Sequence, residues 1–165
     1  MLTIAKIKAL VGIKTKSYET PVISLVGLDT ADAYTANDAL GPQFWVPLPF
    51  PSGVLQAATL YDRDDEGTQI DLVLSREQWV TQIADDAAMA PADAELTKIL
   101  YTVEFDIFKD YVNGRIAYVN GISRPMSFVK YNGGYGLWVQ AVTQSTPTIA
   151  AGSFPAFTLT FMPDE

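Results

Sequence analysis

Alternation of apolar and polar residues with a period of two is the feature that most limits how this chain can fold. It is clearest where Ile99, Tyr101, Val103 and Phe105 alternate with polar Thr102, Glu104 and Asp106. Residues 70–74 and 157–161 repeat the pattern. Because successive side chains of a β-strand point to opposite faces of its sheet, each stretch predicts a strand with one buried face.

Further stretches rich in β-branched and aromatic residues predict strands at residues 22–28, 44–48, 54–61, 116–119, 126–130 and 135–143. Asn-Gly occurs three times, at residues 113–114, 120–121 and 132–133, and we expect a tight reversal at each. Prolines interrupt residues 41–51, so any strand there is expected at a sheet edge or in an extended arm.

Residues 76–100 depart from the alternating pattern, and helix is expected there instead of strand. Pro91 is tolerated in a first helical turn, and Asp93 and Glu95 lie toward the positive end of the helix dipole, with Lys98 later. The sequence therefore predicts a short helix after Ala90.

These elements predict an all-β, mainly antiparallel fold, a jelly-roll-like β-sandwich with one short helical insertion, with an up-and-down barrel as the alternative. The 165 residues suit one domain, which we place at residues 21–165. Residues 1–20 are basic through Lys6, Lys8, Lys14 and Lys16, and they are expected to form a docking arm or an ordinary solvated terminus.

The composition excludes several classes of function. Without histidine or cysteine the chain cannot assemble Ser-His-Asp or Cys-His catalysis, a disulfide or the usual zinc site. Asp85, Asp86 and Asp93 are interpreted as capping and solubilising groups, so we predict no catalytic residues, no cofactor and no enzyme. The net charge of −8 argues against nucleic acid as a partner, and neither a secretory signal nor a membrane span is predicted.

One acidic loop suggests a calcium site. In residues 62–67 the carboxylates of Asp62, Asp64 and Glu66 alternate and a glycine follows, as in loops that wrap oxygen ligands around calcium. The position of the bidentate glutamate in an EF-hand loop is held here by Val73, and strands flank the loop. A solvated hairpin loop is the alternative interpretation.

Charged residues make up only 18% of the chain, a low share that indicates surface covered by another subunit. The candidate interface residues are basic ones in the N-terminal segment and aromatic ones elsewhere: Lys6, Lys8, Phe44, Trp45, Tyr135 and Trp138. Exposed aromatic rings also stack on sugars, so carbohydrate binding through Trp45 or Trp138 is an alternative.

Several blocks occur in an order and spacing that resemble the capsid decoration, or cement, proteins of tailed bacteriophages. They are residues 32–41, 53–62 and 70–74, then ADDAAMAPADAEL at 84–96 with the strand that follows it, and finally LWVQAVTQSTPT at 137–148 with a closing apolar strand. The resemblance covers about residues 30–162, and neither the lysine-rich start nor residues 111–124 belong to it.

The resemblance implies a jelly-roll or similar β-sandwich that binds the outside of an assembled icosahedral head and stabilises it. The implied partners are the major capsid protein and further copies of this chain, as a dimer or trimer. The implied location is the outer capsid surface of the virion, after synthesis in the host cytoplasm. The alternatives are a tail, baseplate or head-fibre attachment protein and, from another class, a carbohydrate-binding β module.

Overall fold

Two antiparallel β-sheets make up the computed structural model, which describes residues 16–164. The elements in chain order are β1 (Tyr18–Glu19), β2 (Ile23–Ser24), β3 (Ala39–Leu48), β4 (Ser52–Asp62), β5 (Ile70–Ser75), α1 (Asp93–Leu96), β6 (Ile99–Phe105), β7 (Phe108–Tyr111), β8 (Gly114–Ser127), β9 (Val129–Tyr131), β10 (Gly134–Thr143) and β11 (Ala156–Pro163). The candidate arm residues Lys6 and Lys8 lie outside the described residues. β1 already pairs with β11, so the sheet begins inside the segment 1–20.

The order of strands within the sheets is that of a jelly roll. Sheet 1 has the order β1-β11-β4-β8-β7, with β2 also beside β11, and sheet 2 has the order β3-β10-β5-β6, with β9 also beside β10. The chain therefore passes repeatedly from one sheet to the other, as the two Greek keys of a jelly roll require. The predicted β-sandwich is confirmed, and the up-and-down barrel is wrong because the strands form two sheets.

The alternating stretches supply the core between the sheets. β5, β6 and β11 coincide with the three clearest period-two patterns, and their inward side chains are fully or almost fully buried: Ile70, Leu72, Leu74, Val103, Phe105, Phe157, Leu159 and Phe161. Burying one such side chain stabilises the fold by about 1.5–3 kcal/mol. These strands hold the two sheets together.

The prediction that a strand within the proline-rich residues 41–51 lies at a sheet edge is also confirmed. β3 contains Pro42 and Pro47 and lies at the edge of sheet 2, where its only neighbour among the described strands is β10. Proline lacks the N–H that a second neighbouring strand needs, so this sequence suits an edge and no other place in a sheet.

Two of the three Asn-Gly pairs make the expected reversals, and the third does not. Tyr131 pairs with Gly134 across the turn Asn132-Gly133. Tyr111 pairs with Gly114 across the turn Val112-Asn113, so this reversal lies one residue before its Asn-Gly pair. Asn120-Gly121 instead lies inside β8, where the pairing with β4 slips and leaves extra residues on β8. The φ of +72° at Gly121 forms this bulge, so the left-handed conformation that favours a turn also serves to bend a continuous strand.

Residues 22–28 form less strand than predicted. Only Ile23–Ser24 pair with β11, and the backbone then turns at Gly27, whose φ is +75°. Leu25 and Leu28 are nevertheless buried in the core. The apolar character of this stretch reflects burial beside the sheets.

The expected short helix is confirmed as α1, but residues 76–92 are not helical. This stretch lies over the outer face of sheet 2 and packs Trp79 and Ile83 against Ala39, Val73 and Val142. The backbone of Ala39 exchanges hydrogen bonds with Asp86 and Ala87, at 3.0 and 2.9 Å. Tertiary pairing with the start of β3 therefore replaces the local hydrogen bonds of a helix.

Asp85 fastens residues 76–92, which we call the insertion, to the loop before β3. Its carboxylate accepts hydrogen bonds from the backbone N–H groups of Asp29 and Gly41, both at 2.6 Å, and from the Tyr34 hydroxyl at 2.9 Å. Burial, the hydrogen bond to Asp85 and its negative charge all raise the pKa of Tyr34. Asp85 is thus a structural clamp, and it caps no helix.

A pair of like charges weakens sheet 2. Asp71 of β5 and Glu104 of β6 are directly opposite each other, and the pKa of Asp71 is raised by burial first and by Glu104 second. A carboxyl group with a raised pKa costs stability when ionised, and this cost disappears as the pH falls through the folded-state pKa.

We predict that Glu104→Gln increases the free energy of unfolding at pH 7 by about 0.5 kcal/mol, because it removes the cross-strand repulsion. Urea denaturation at neutral and acidic pH measures the gain, which is expected to shrink in acid. Glu77→Gln is the control, because it removes the same charge at an exposed position elsewhere in the chain. An equal gain from both variants contradicts the pairwise explanation.

Candidate interaction site

The four aromatic residues predicted for an interface divide between the two faces of sheet 2. Trp45 of β3 and Trp138 of β10 are cross-strand partners on the outer face, with ring centroids 5.4 Å apart. Phe44 and Tyr135 point inward and pack against the core, where the Phe44 ring lies 6.0 Å from that of Phe157. Neighbouring residues on a strand face opposite ways, so Phe44 and Trp45 cannot serve one surface.

Tyr131 completes the outer cluster, which we call the aromatic platform: Trp45, Tyr131 and Trp138. The Tyr131 ring lies 5.3 Å from the Trp45 ring and 5.0 Å from the Trp138 ring. Trp138 is only 6% exposed, whereas Trp45 is partly exposed and Tyr131 is 41% exposed. The platform therefore has a buried base and an accessible rim.

Residue type alone did not identify Tyr131 as part of this cluster, but the turn beside it indicates its position. A two-residue turn at Asn132-Gly133 places Tyr131 opposite Gly134, and Gly134 is four residues before Trp138 on the same strand. Even offsets along a strand keep side chains on one face, so the turn register puts Tyr131 beside Trp138.

Gly136 makes room for the platform. It lies opposite Pro47, and a Cβ at this position would collide with the Trp45 ring and with the carbonyl oxygen of Val46. The Trp45 ring therefore lies directly against the backbone of β10. On the opposite face of the sheet, the Lys130 ammonium lies 5.1 Å from the Tyr135 ring centroid, within the range of a cation–π contact.

The candidate calcium residues are occupied by backbone hydrogen bonds within the chain. Asp62 is 2% exposed and accepts from the N–H groups of Asp64 and Gly67, while the carboxylates of Asp64 and Glu66 accept from Ala150 and Thr148. Their carboxylates thus bind separate backbone N–H groups and shape the loop that crosses from β4 in sheet 1 to β5 in sheet 2, so the alternative of a hairpin loop is wrong. Within residues 16–164, no group of three acidic, histidine or cysteine side chains is arranged to hold a metal ion.

The other acidic residues considered for catalysis differ in their surroundings. Asp85 is committed to the clamp described above, and Asp93 begins α1, whose cap makes no side-chain hydrogen bond. The pKa of Asp86 is raised by desolvation and then by the carboxylates of Asp38 and Asp29. Asp86 is exposed on the surface of residues 76–92.

A groove of about 500 Å³ crosses the opposite side of the molecule, on the outer face of sheet 1. Its apolar lining comes from Val22 beside β2, Tyr61 of β4, Ile116 of β8 and the β7–β8 hairpin residues Tyr111 and Val112. We call these five residues the sheet-1 groove. Asp62, Arg63 and Arg115 line the same groove, so charged groups stand beside these apolar side chains.

Comparison with protein families, with curated proteins and with solved structures finds no match for this chain. No helix among the described residues has the length and apolar character needed to cross a membrane. The site is therefore interpreted from its own residues.

We predict that Gly136→Ala lowers the free energy of unfolding by about 2–3 kcal/mol, because the added methyl group forces Trp45 and β3 away from β10. Chemical denaturation measures the loss. Gly134→Ala is the matched control: Gly134 lies on the same strand, has no atom within 4 Å of the added Cβ and is expected to change little. Similar losses from both variants would argue against close packing at Trp45.

Proposed function

We propose that this protein is a virion structural protein that decorates the outer surface of an assembled phage capsid and stabilises it. The observation that carries the proposal is the aromatic platform, whose partly exposed rim lies on one outer face of a jelly-roll β-sandwich. Trp and Tyr are enriched among the few residues that carry most of the binding energy in protein interfaces. The resemblance of the chain to decoration proteins supplies the kind of partner.

The physical logic of decoration favours this kind of surface. A protein that binds only the assembled lattice stabilises it by mass action, and many copies share the load. Uncharged aromatic contacts keep their strength in salt, whereas exposed ion pairs are screened. The platform therefore suits attachment to a shell, while the net charge of −8 keeps the free protein soluble.

The test is the copy number of this protein in purified particles of the phage that carries its gene, measured by quantitative mass spectrometry against the major capsid protein. Decoration predicts a copy number of the same order as the capsid subunits. A few copies per particle would point to a tail, baseplate or head-fibre attachment, and absence from the particle would refute a virion role.

The role of the platform is tested separately with Tyr131→Ala, which removes an exposed ring and leaves the core intact. We expect at least about a tenfold loss of affinity for capsids that lack the protein. Val26→Ala is the control, because Val26 is exposed but lies outside the platform. Equal binding by both variants contradicts attachment through the platform.

Basic residues of the N-terminal segment are a second proposed contact with the capsid. Lys6 and Lys8 belong to a cluster of lysines in an otherwise acidic chain, which suits an acidic partner surface. The double variant Lys6→Glu, Lys8→Glu is expected to reduce capsid occupancy and its dependence on salt. Unchanged occupancy would remove this contact.

The platform also favours a second candidate function, carbohydrate binding. A partly exposed indole beside a tyrosine can stack on the apolar face of a sugar ring. Binding of the isolated protein to a glycan array, abolished by Trp45→Ala and unaffected by Val26→Ala, would support this function. An array without binding would leave capsid attachment as the role of the platform.

A further inference from the structure

Charge is distributed unevenly between the two ends of the sandwich. At the end where β4 stops and β5 starts, the basic residues Arg63, Lys109 and Arg115 are outnumbered by acidic ones: Asp62, Asp64, Asp65, Glu66, Asp71, Glu104, Asp106 and Asp110. At the other end β5 stops and β6 starts, and two arginines lie there. Arg76 directly follows β5, and Arg124 belongs to the last part of β8. We call this second end the arginine end.

A recess of about 270 Å³ opens at the arginine end, and both sheets line it. Sheet 2 contributes Leu100 of β6 and Arg76, and sheet 1 contributes residues 124–127 of β8. Asp164, which follows β11, also lines it. Side chains carried by strands are held more precisely than side chains on loops, so β6 and β8 give the recess a fixed shape.

Arg124 lies on the core-facing side of β8. It pairs with Leu55 of β4, which is fully buried, and directly opposed residues share one face of a sheet. Met126 is on the same face and is 4% exposed. Among the described strands β7 pairs with β8 only at residues 114–117, so Arg124 lies beyond it at an open edge and is exposed. A charge on the core-facing side of a strand is normally paired, which makes its surroundings informative.

Neither arginine has an ionic partner within residues 16–164. The ion pairs of this part of the chain use Lys98 and Arg115 as their bases. Asp164 lines the recess but forms no ion pair with either arginine among the described atoms. Two guanidinium groups and one carboxylate give the recess a net positive charge, although the whole protein carries −8.

We propose that this recess is a carboxylate-binding site, which receives a glutamate or aspartate side chain from an acidic segment of a protein partner. A planar guanidinium group donates two parallel hydrogen bonds to the two oxygens of a carboxylate. Leu100 and Met126 offer apolar surface to the methylene groups of the same side chain. A volume of about 270 Å³ is below that of pockets for drug-sized ligands, so a single side chain suits it better than a larger free molecule.

The charge of the rest of the molecule orients such a partner. An acidic segment is repelled by the carboxylates at the opposite end and attracted to the arginine end, so the field favours approach from one direction. Arg76 is suitably placed for this contact, because it is exposed while its backbone N–H donates to the carbonyl oxygen of Lys98 at 2.8 Å. Its side chain is therefore accessible on a fixed backbone.

The inference is independent of the proposed capsid role, because the isolated full-length protein is sufficient to test it. The probe is an acetylated hexaglutamate peptide, titrated at low salt and followed by the NMR shifts of backbone amides. Saturable shifts are expected at Leu100 and Ser127. Arg76→Gln and Arg124→Gln are each expected to raise the dissociation constant at least about fivefold, because each removes a charge-assisted hydrogen bond.

Asp164→Asn is expected to act in the opposite direction. It removes the one carboxylate that lines the recess, so the peptide is expected to bind about twofold more tightly. A merely structural role for the arginines predicts no such gain. Unchanged or weaker binding by this variant contradicts the proposed position of the ligand carboxylate.

Arg63→Gln is the matched control. It removes the same charge from an exposed arginine at the opposite end of the sandwich, and it is expected to leave the dissociation constant unchanged. A protein that does not bind the peptide, or equal weakening by Arg63→Gln and Arg76→Gln, overturns the proposal. If Arg124→Gln fails to fold, Arg76→Gln tests the same recess from outside the strands.

Two further arms identify the source of the carboxylate and the site that binds it. Inorganic phosphate is titrated in the same way, and binding as tight as that of the peptide would assign the recess to free oxyanions and overturn the partner segment. The variant Lys6→Glu, Lys8→Glu is expected to bind the peptide through the recess as before. Binding that is lost in this variant but kept in Arg76→Gln would assign the contact to residues 1–15 and overturn the proposal.

Discussion

The structure depends on β10 being buried on both of its faces. Its inward residues Leu137, Val139 and Ala141 pack between the sheets, while Trp138 and Val142 are covered from outside. A strand can be sandwiched in this way only if something covers the second face of its sheet. Here the insertion before α1 covers one part, and Trp45 and Tyr131 cover the rest. The position of the aromatic platform is therefore a consequence of how sheet 2 is closed from outside.

Much of the fold could be predicted from the sequence because its causes are local. Alternation in β5, β6 and β11 determines which residues face the core, and Pro42 and Pro47 restrict β3 to an edge. The insertion could not be predicted in the same way. Its local spacing resembles a helix, but its backbone bonds to Ala39, a partner distant in the chain, and Asp85 reaches back to Asp29 and Gly41. Such contacts appear only once the sheets have formed.

The candidate site was partly predictable for the same reason. Trp45 and Trp138 were found from residue type alone, and type alone also selected Phe44 and Tyr135, which point inward. Alternation along each strand separates the outward tryptophans from the inward Phe44 and Tyr135. Which face Tyr131 of β9 shares with β10, however, depends on the turn that joins the two strands. Asn120-Gly121 shows the limit of that signal, because the same dipeptide forms a bulge when β4 continues beside it. The hydrogen bonds of the acidic loop at residues 62–67 could not be predicted either, because Asp64 and Glu66 bind backbone N–H groups that are distant in the chain.

The short β7 has a further consequence for the protein at high concentration. Among the described strands it has β8 as its only neighbour, and such sheet edges can recruit the same edge of another molecule and grow into fibres. In antiparallel pairing about a two-fold axis, the central registers set Lys109 opposite Lys109 or Asp110 opposite Asp110. Like charges facing each other oppose that pairing. Molecules can then come close together without turning their edges into a template for polymerisation.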